Sequence, residues 1–338
     1  MSHVVRAARP QDLDAIYRMA KSTGGGFTNL PPDRKTLRGK LDRAAECFAR
    51  AGDALDDDLF VFVLEDLATG KVIGTCQVFS KIGAKLPFYS YRLGAMTQHS
   101  AELGRTFRAE MLSLCTDLDG SSEVGGLFLL PGERSAGVGK LLARSRYLFI
   151  RRHRARFAER TLAELRGAHD DVGSSPFWEG VAGRFFGMSF READEFNATH
   201  GNQFIADLMP KHPIYTAMIA ESALAVMGMP HTSGRAAMRM LEDEGFVHDN
   251  YIDIFDGGPT MIAPTDRIAT IRDAREATVT AIGLADDGDA ALVAAGRLAG
   301  YRATFGTVSG SGDEVMIDGG AAEVLGVGVG DQVTVVGR

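Results

Sequence analysis

The spacing of apolar residues changes several times along the chain, and each change marks an expected element. Val4 and Val5 open an extended stretch, and after Pro10 the residues Leu13, Ile16, Tyr17 and Ala20 fall at three- and four-residue steps. That pattern predicts a short strand, a turn, and a helix begun at Gln11 or Asp12. The three glycines and two prolines between Thr23 and Pro32 cannot sustain a helix interior, so a loop is expected there, followed by a second helix over about 33–51. Phe60 to Leu64 and Val72 to Phe79 are apolar runs separated by Asp66, Thr69 and Gly70, the pattern of an antiparallel hairpin. Tyr89, Tyr91 and Leu93 suggest one more strand, but most of 88–120 has no firm period and stays unassigned.

Glu123 to Leu130 is again a strand pattern. Past Pro131 and Gly132, a helix over about 136–155 places Val138, Leu141, Leu142, Ser145 and Phe149 on one side. A strand from Thr161 to Arg166 leads through a turn at 173–176 to a helix near 176–186, ended by Gly187 before Phe190. Residues 200–245 are mostly helical in pattern, interrupted by Pro210, Pro213, Pro230 and Gly234, and run into a strand from Tyr251 to Phe255. From about residue 276, short apolar runs and glycine-rich turns predict a small β-rich module. The whole reads as a mixed α/β protein with a β-rich appendage.

Composition narrows the partners. The 338 residues are 45% hydrophobic and 24% charged, ordinary for a folded protein and long enough for more than one domain. A net charge of −7 supplies no overall basic field for a polyanion, which argues against nucleic acid as a partner. Arg151, Arg152, His153, Arg154 and Arg156 form the densest basic run, expected as a solvated helix face near a C-terminal end. Cys47, Cys76 and Cys115 are too few and too scattered for a disulfide framework or a zinc site. No apolar stretch is long enough to span a membrane and no leader pattern opens the sequence, so a cytoplasmic protein without a metal or membrane partner is expected.

The sharpest chemical signal is Arg134-Ser135-Ala136-Gly137-Val138-Gly139, between an apolar strand and an amphipathic helix. Backbone N–H groups in a helix's first turn lack intrahelical partners, glycine lets a pyrophosphate approach them, and Arg134 adds a charge-assisted contact. A dinucleotide loop is the main competitor, but neither its Gly-x-Gly-x-x-Gly nor a phosphate-binding lysine-serine sequence is present. Arg134-x-x-Gly137-x-Gly139 after the Val124 to Leu130 strand resembles the acyl-coenzyme-A motif of GNAT acetyltransferases. Ser175-Pro176-Phe177-Trp178 and Gly187-Met188-Ser189-Phe190 are similar to that family's second motif. The resemblance implies a GNAT-like, largely antiparallel sheet flanked by helices, with coenzyme contacts at Leu127, Arg134, Gly137, Val138 and Gly139. Gly125-Gly126 fits a bulge in the strand, where a backbone N–H of Leu127 would hold the thioester carbonyl.

Longer stretches narrow the family. Residues 21–26, 174–178, 209–215 and 250–260 resemble arginine N-succinyltransferases, which implies transfer of succinyl from succinyl-coenzyme A to the α-amine of L-arginine in arginine catabolism. Of eight histidines, His231 matches the family's proton donor, just ahead of an expected helix at 234–244. His169 and His212 are runners-up, and Arg92, Glu164 and Arg166 are candidates for the substrate's charged groups. Three stretches are expected: 1–198, a GNAT-like acyl-coenzyme-A-binding domain; 199–275, a helical elaboration and returning strand completing the active site; and 276–338, the β-rich module. Ornithine or another amino acid as acceptor, a non-catalytic partner subunit, and a homo- or hetero-oligomer remain open.

Overall fold

The computed structural model describes residues 3–23, 29–134, 137–170, 173–201, 203–283 and 288–338. The chain forms two compact units, each assembled from non-consecutive stretches. One comprises Met1–Lys81, Ser122–Thr161 and Pro264–Arg338, the other Ile82–Ser121 and Leu162–Ala263. The triple glycine at 24–26, expected in a loop, lies outside the described residues.

In the first unit the expected hairpin is Leu59–Asp66 with Lys71–Phe79. His3–Ala7 pairs antiparallel on one side of it and Ser122–Leu129 antiparallel on the other. Helix Arg34–Ala49 starts where Asp33 accepts the Thr36 N–H at 2.7 Å, satisfying one of the donors that a helix start leaves over. Helix Val138–Arg152 buries Leu141, Leu142, Ser145 and Phe149, the side its periodicity marked. Phe149 is the hub of an aromatic core, 4.8 Å from Phe60, 4.9 Å from Phe62 and 5.1 Å from Tyr301 between ring centroids.

The expected β-rich module is a closed five-stranded barrel of Arg275–Ile282, Asp289–Ala295, Arg302–Ser309, Glu314–Ile317 and Gln332–Gly337. Pairing of Asp289–Ala295 with Arg302–Ser309 closes it, and alternating Ala277, Val279, Val293, Val315 and Val335 fill it. Arg302–Ser309 also pairs with His3–Ala7, Val5 opposite Ala303. Helix Val138–Arg152 is tied to the barrel: the Tyr301 hydroxyl donates to the Ser145 carbonyl at 2.7 Å, and Arg152 donates to Thr334 Oγ1 at 2.6 Å.

The basic run at 151–156 is not the solvated face expected. Arg151 is exposed, but Arg156 and His153 are each only 1% exposed. Arg156 pairs with Asp53 at 3.2 Å and Asp58 at 3.4 Å, and donates to the Arg50 carbonyl at 2.8 Å. His153 Nδ1 donates to the Phe149 carbonyl at 2.9 Å, and Nε2 accepts the Leu298 N–H at 3.2 Å. The helix ends against the barrel and the Arg50–Asp58 loop, so cations that periodicity alone places outside are paired and covered.

In the second unit the unassigned stretch 88–120 contains a long hairpin, Ser90–Ser100 with Arg105–Cys115, in continuous register from Ser90 opposite Cys115 to Ser100 opposite Arg105. Residues 94–108 are almost all exposed, so neither face is held apolar and no alternation appears in the sequence. Near its base, Ser90–Arg92 pair with Val247–Asp253, and Met111 and Leu112 pair with Ile214–Tyr215. The helix expected near 176–186 is two, Pro176–Gly180 and Gly183–Phe186, because the backbone leaves helical geometry at Val181. Trp178 is fully buried there and donates its indole N–H to the Met188 carbonyl at 2.9 Å. In the mostly helical stretch 200–245 the longest helix lying wholly within it is Arg235–Asp243. The returning strand begins at Val247 and stops at Asp253, where the Asp253 carboxylate accepts the N–H groups of Phe255 and Asp256 and turns the chain. Among the described residues no helix is long and apolar enough to cross a membrane.

Candidate active site

The coenzyme motif lies in the first unit. Ser122–Leu129 is bulged at the glycine pair: Gln77 faces Gly125 and Thr75 faces Phe128, so Gly126 and Leu127 share the single residue Cys76 opposite them. Gly126 adopts φ +56°, a conformation that favours glycine, and a Cβ there would stand 3.0 Å from the Gln77 side chain. The expected bulge is thus present beside Leu127, which is half-buried.

The next turn leads into helix Val138–Arg152. Gly137 is its N-cap at φ +79°, with no side-chain cap, so the first-turn N–H groups keep no acceptor from that residue. Val138 is buried and anchors the turn, and Gly139 is open on its outer side apart from a Leu129 methyl. Arg134 is exposed, and its Nε donates to the Leu129 carbonyl at 3.3 Å, which tethers the guanidinium at the strand's end. Arg338, which sequence reasoning missed, stacks its guanidinium on Phe305 at 4.3 Å and reaches to 3.1 Å from where a Gly137 Cβ would stand. First-turn N–H groups without a side-chain cap, a bare glycine and two guanidinium groups suit a pyrophosphate. The distance in sequence hid Arg338, because only the barrel's closure returns residue 338 to this turn.

The His231 cluster lies in the second unit. The His231 N–H donates to the Arg166 carbonyl at 2.8 Å, and Pro230 bridges to Gly167, so the histidine is pinned to the chain leaving Arg160–Glu164. His231 Nδ1 accepts the Ser233 N–H at 3.2 Å and lies 2.7 Å from the Ser233 hydroxyl. Nδ1 is therefore unprotonated in the neutral ring, and Nε2 carries the hydrogen. Burial, reinforced by Arg166 and His169 against the opposing pull of Asp256, lowers the pKa of His231 below the ordinary histidine value.

His169, a runner-up, stands beside His231 with ring centroids 5.6 Å apart. Arg166 Nη2 donates to its Nδ1 at 2.6 Å, and its Nε2 points towards Asp256 at 3.9 Å. Asp256 is held by the N–H groups of Gly167 at 2.7 Å and Gly258 at 2.9 Å. Arg166 Nε and His169 Nε2 are buried without a hydrogen-bond partner among the described residues. The carboxyl of Asp253 is pushed up to about 7 by burial and by its neighbour Asp256. Asp256 falls in the 250–260 stretch that resembles the family, and its contacts to Gly167 and His169 come from the fold rather than from sequence proximity. Arg92 is elsewhere, paired with Asp117 at 3.4 Å, and His212 makes no contact with this cluster.

A family model described as the arginine N-succinyltransferase beta subunit matches residues 3–270, and one for that subunit's C-terminal domain matches 275–337. The chain belongs to the arginine N-succinyltransferase family. Among relatives carrying that name, one from Enterobacter sp. (strain 638) is 40% identical over 335 residues, covering 98% of this chain and 97% of the relative. Another, from Citrobacter koseri, is 44% identical over 272 residues, covering 80% of this chain and 79% of the relative. A solved structure of arginine/ornithine succinyltransferase subunit AI from Pseudomonas aeruginosa superposes with a TM-score of 0.91 at 33% identity, over 99% of this chain and 98% of that one. The arginine N-succinyltransferase family and the mixed fold of helices and strands with a β-rich C-terminal module, expected from sequence, are both borne out.

Proposed function

We propose that the chain transfers succinyl from succinyl-coenzyme A to the α-amine of L-arginine. The observation that carries this reading is the match of both family models, which together take in 3–270 and 275–337 and so include both the bulged strand and the His231 cluster. In the reaction the amine nitrogen forms a bond to the thioester carbon and the carbon–sulfur bond breaks. The α-ammonium first loses one proton to solvent, because only the neutral amine carries the attacking lone pair; the nitrogen loses a second as the amide forms, and the departing sulfur takes one up. Leu127 is assigned to the thioester carbonyl through its backbone N–H, where the bulge withdraws it from regular register. Arg134, Gly137, Val138 and Gly139 hold the coenzyme's phosphates. His231 presents Nε2–H to the departing sulfur, and the neighbouring Arg166 supplies positive charge for a substrate carboxylate.

The chain divides functionally into acyl-donor binding over 1–198, completion of the site over 199–275, and the β-rich module over 276–338. It works in the cytoplasm, in arginine catabolism, without nucleic acid, membrane or metal, and as a homo-oligomer or with a related subunit. Ornithine is a second acceptor to weigh, because the Pseudomonas aeruginosa relative is described as an arginine/ornithine succinyltransferase and as a subunit. The deciding assay measures coenzyme A release from succinyl-coenzyme A with arginine, ornithine and no amine. Arginine-dependent release is expected; faster release with ornithine reverses the acceptor, and no release with either amine defeats the proposal.

A further inference from the structure

Behind the bulge, in the first unit, lies a cavity of about 20 Å³, room for a water-sized polar group. Gly126 lines it, one residue from Leu127, and Leu37, Leu41 and Val61 form apolar wall. Its polar members are Lys40, Asn29, Gln77 and Thr75, whose hydroxyl donates to the Phe62 carbonyl at 2.9 Å. The Lys40 ammonium donates to the Asn29 backbone carbonyl at 2.7 Å, and the Gln77 amide donates to the same carbonyl at 3.3 Å. Among the described residues that carbonyl, a neutral group, is the one hydrogen-bond acceptor Lys40 reaches. Lys40 is half-buried, and burial brings its pKa down to about 8, against the pull of Glu123. Glu123 is bound instead to the Asn29 side-chain amide, which donates to it at 2.9 Å, and burial raises its pKa.

A cation so placed is costly unless an anion joins it. We propose that Lys40, aided by the Gln77 amide, binds the distal carboxylate of the donor's acyl chain and so selects a dicarboxylic acyl group over an uncharged one. This rests on the assignment of Leu127 to the thioester. Apolar wall next to the cation suits methylenes ending in a carboxylate. Nothing in the His231 cluster is needed for this selection.

Calorimetric binding of succinyl-coenzyme A and butyryl-coenzyme A to the wild-type protein, Lys40→Met and Lys40→Arg tests it without turnover. Butyryl has the same chain length and lacks the charge. Wild type is expected to favour succinyl-coenzyme A by about 10- to 100-fold, the scale of a charge-assisted contact. Lys40→Met should bring the ratio near one and Lys40→Arg should keep much of it. Equal binding of the two donors by wild type, or an unchanged ratio in Lys40→Met, overturns the proposal. Should Lys40→Met fail to fold, Gln77→Glu serves instead: a carboxylate in the cavity is expected to weaken succinyl-coenzyme A at least tenfold more than butyryl-coenzyme A, and equal weakening refutes the assignment. Arginine-dependent turnover is read separately, so selective binding without turnover would defeat the proposed activity and leave the acyl site standing.

Discussion

Ser233 donates its backbone N–H to Nδ1 of His231 at 3.2 Å, and this bond fixes which ring nitrogen carries hydrogen. Replacing His231 by Ala or Gln should lower kcat by roughly 10²- to 10³-fold, the usual worth of a positioned proton-transfer group. The half-exposed side chain carries little packing, so the melting temperature should hardly move. Steady-state kinetics beside thermal unfolding checks both; unchanged kcat in a folded variant removes His231 from the chemistry.

Asp256 gathers the Gly167 and Gly258 N–H groups and faces His169. Asp256→Ala strands two buried donors and should cost about 2–4 kcal/mol, seen as a lower denaturation midpoint. Activity should fall beyond the loss of folded protein, because the Arg166–His169 pair loses its anion. A variant as stable as wild type would show these bonds to be of no consequence.

Gly126→Ala puts a Cβ where φ is +56° and Gln77 stands at 3.0 Å. About 1–2 kcal/mol of destabilisation is expected from the backbone alone. The informative readout is the KM for the acyl donor, which should rise as the bulge relaxes while the KM for arginine changes little.

Arg338→Ala removes a guanidinium from the helix turn at Gly137. Donor KM should rise about tenfold with kcat nearly constant, as expected for a contact made equally in the ground and transition states. Free coenzyme A should weaken in parallel. If neither changes, Arg338 serves only its stacking on Phe305.

His153 gives a pH signature. Burial, with nearby arginines, brings its pKa down to about 4, and its two hydrogen bonds require the neutral ring. The unfolded chain takes up this proton near pH 6.5 and the folded one does not, so the stabilisation is present above pH 6.5 and is lost as pH falls towards 4. Up to about 3 kcal/mol is at stake. Urea unfolding between pH 7 and 4 should show this slope, and His153→Gln should flatten it.

Much of this architecture was legible in the residues, for reasons that differ by region. Where one face is buried, period and burial coincide: Leu13 and Ile16 of the first helix, Leu141 and Phe149 of Val138–Arg152, and the Phe60 to Leu64 strand all lie in the core. The glycine pair at 125–126 announced a bulge because few conformations explain it. The Ser90–Cys115 hairpin was illegible because solvent bathes both faces of its outer half. Burial of Arg156 escaped notice because its partners, Asp53 and Asp58, are about a hundred residues away in sequence. His231 stood out only through the family resemblance, since nothing local distinguishes a loop histidine from its seven fellows.

The pairing of Val5 with Ala303 also sets an order of events during synthesis. The opening strand leaves the ribosome early, yet its second neighbour is made only about 300 residues later. Contacts that far apart in sequence form late and slowly. Until then one edge of that strand stays unmatched, and a ribosome stalled before residue 302 would release a product with a bare, adhesive rim.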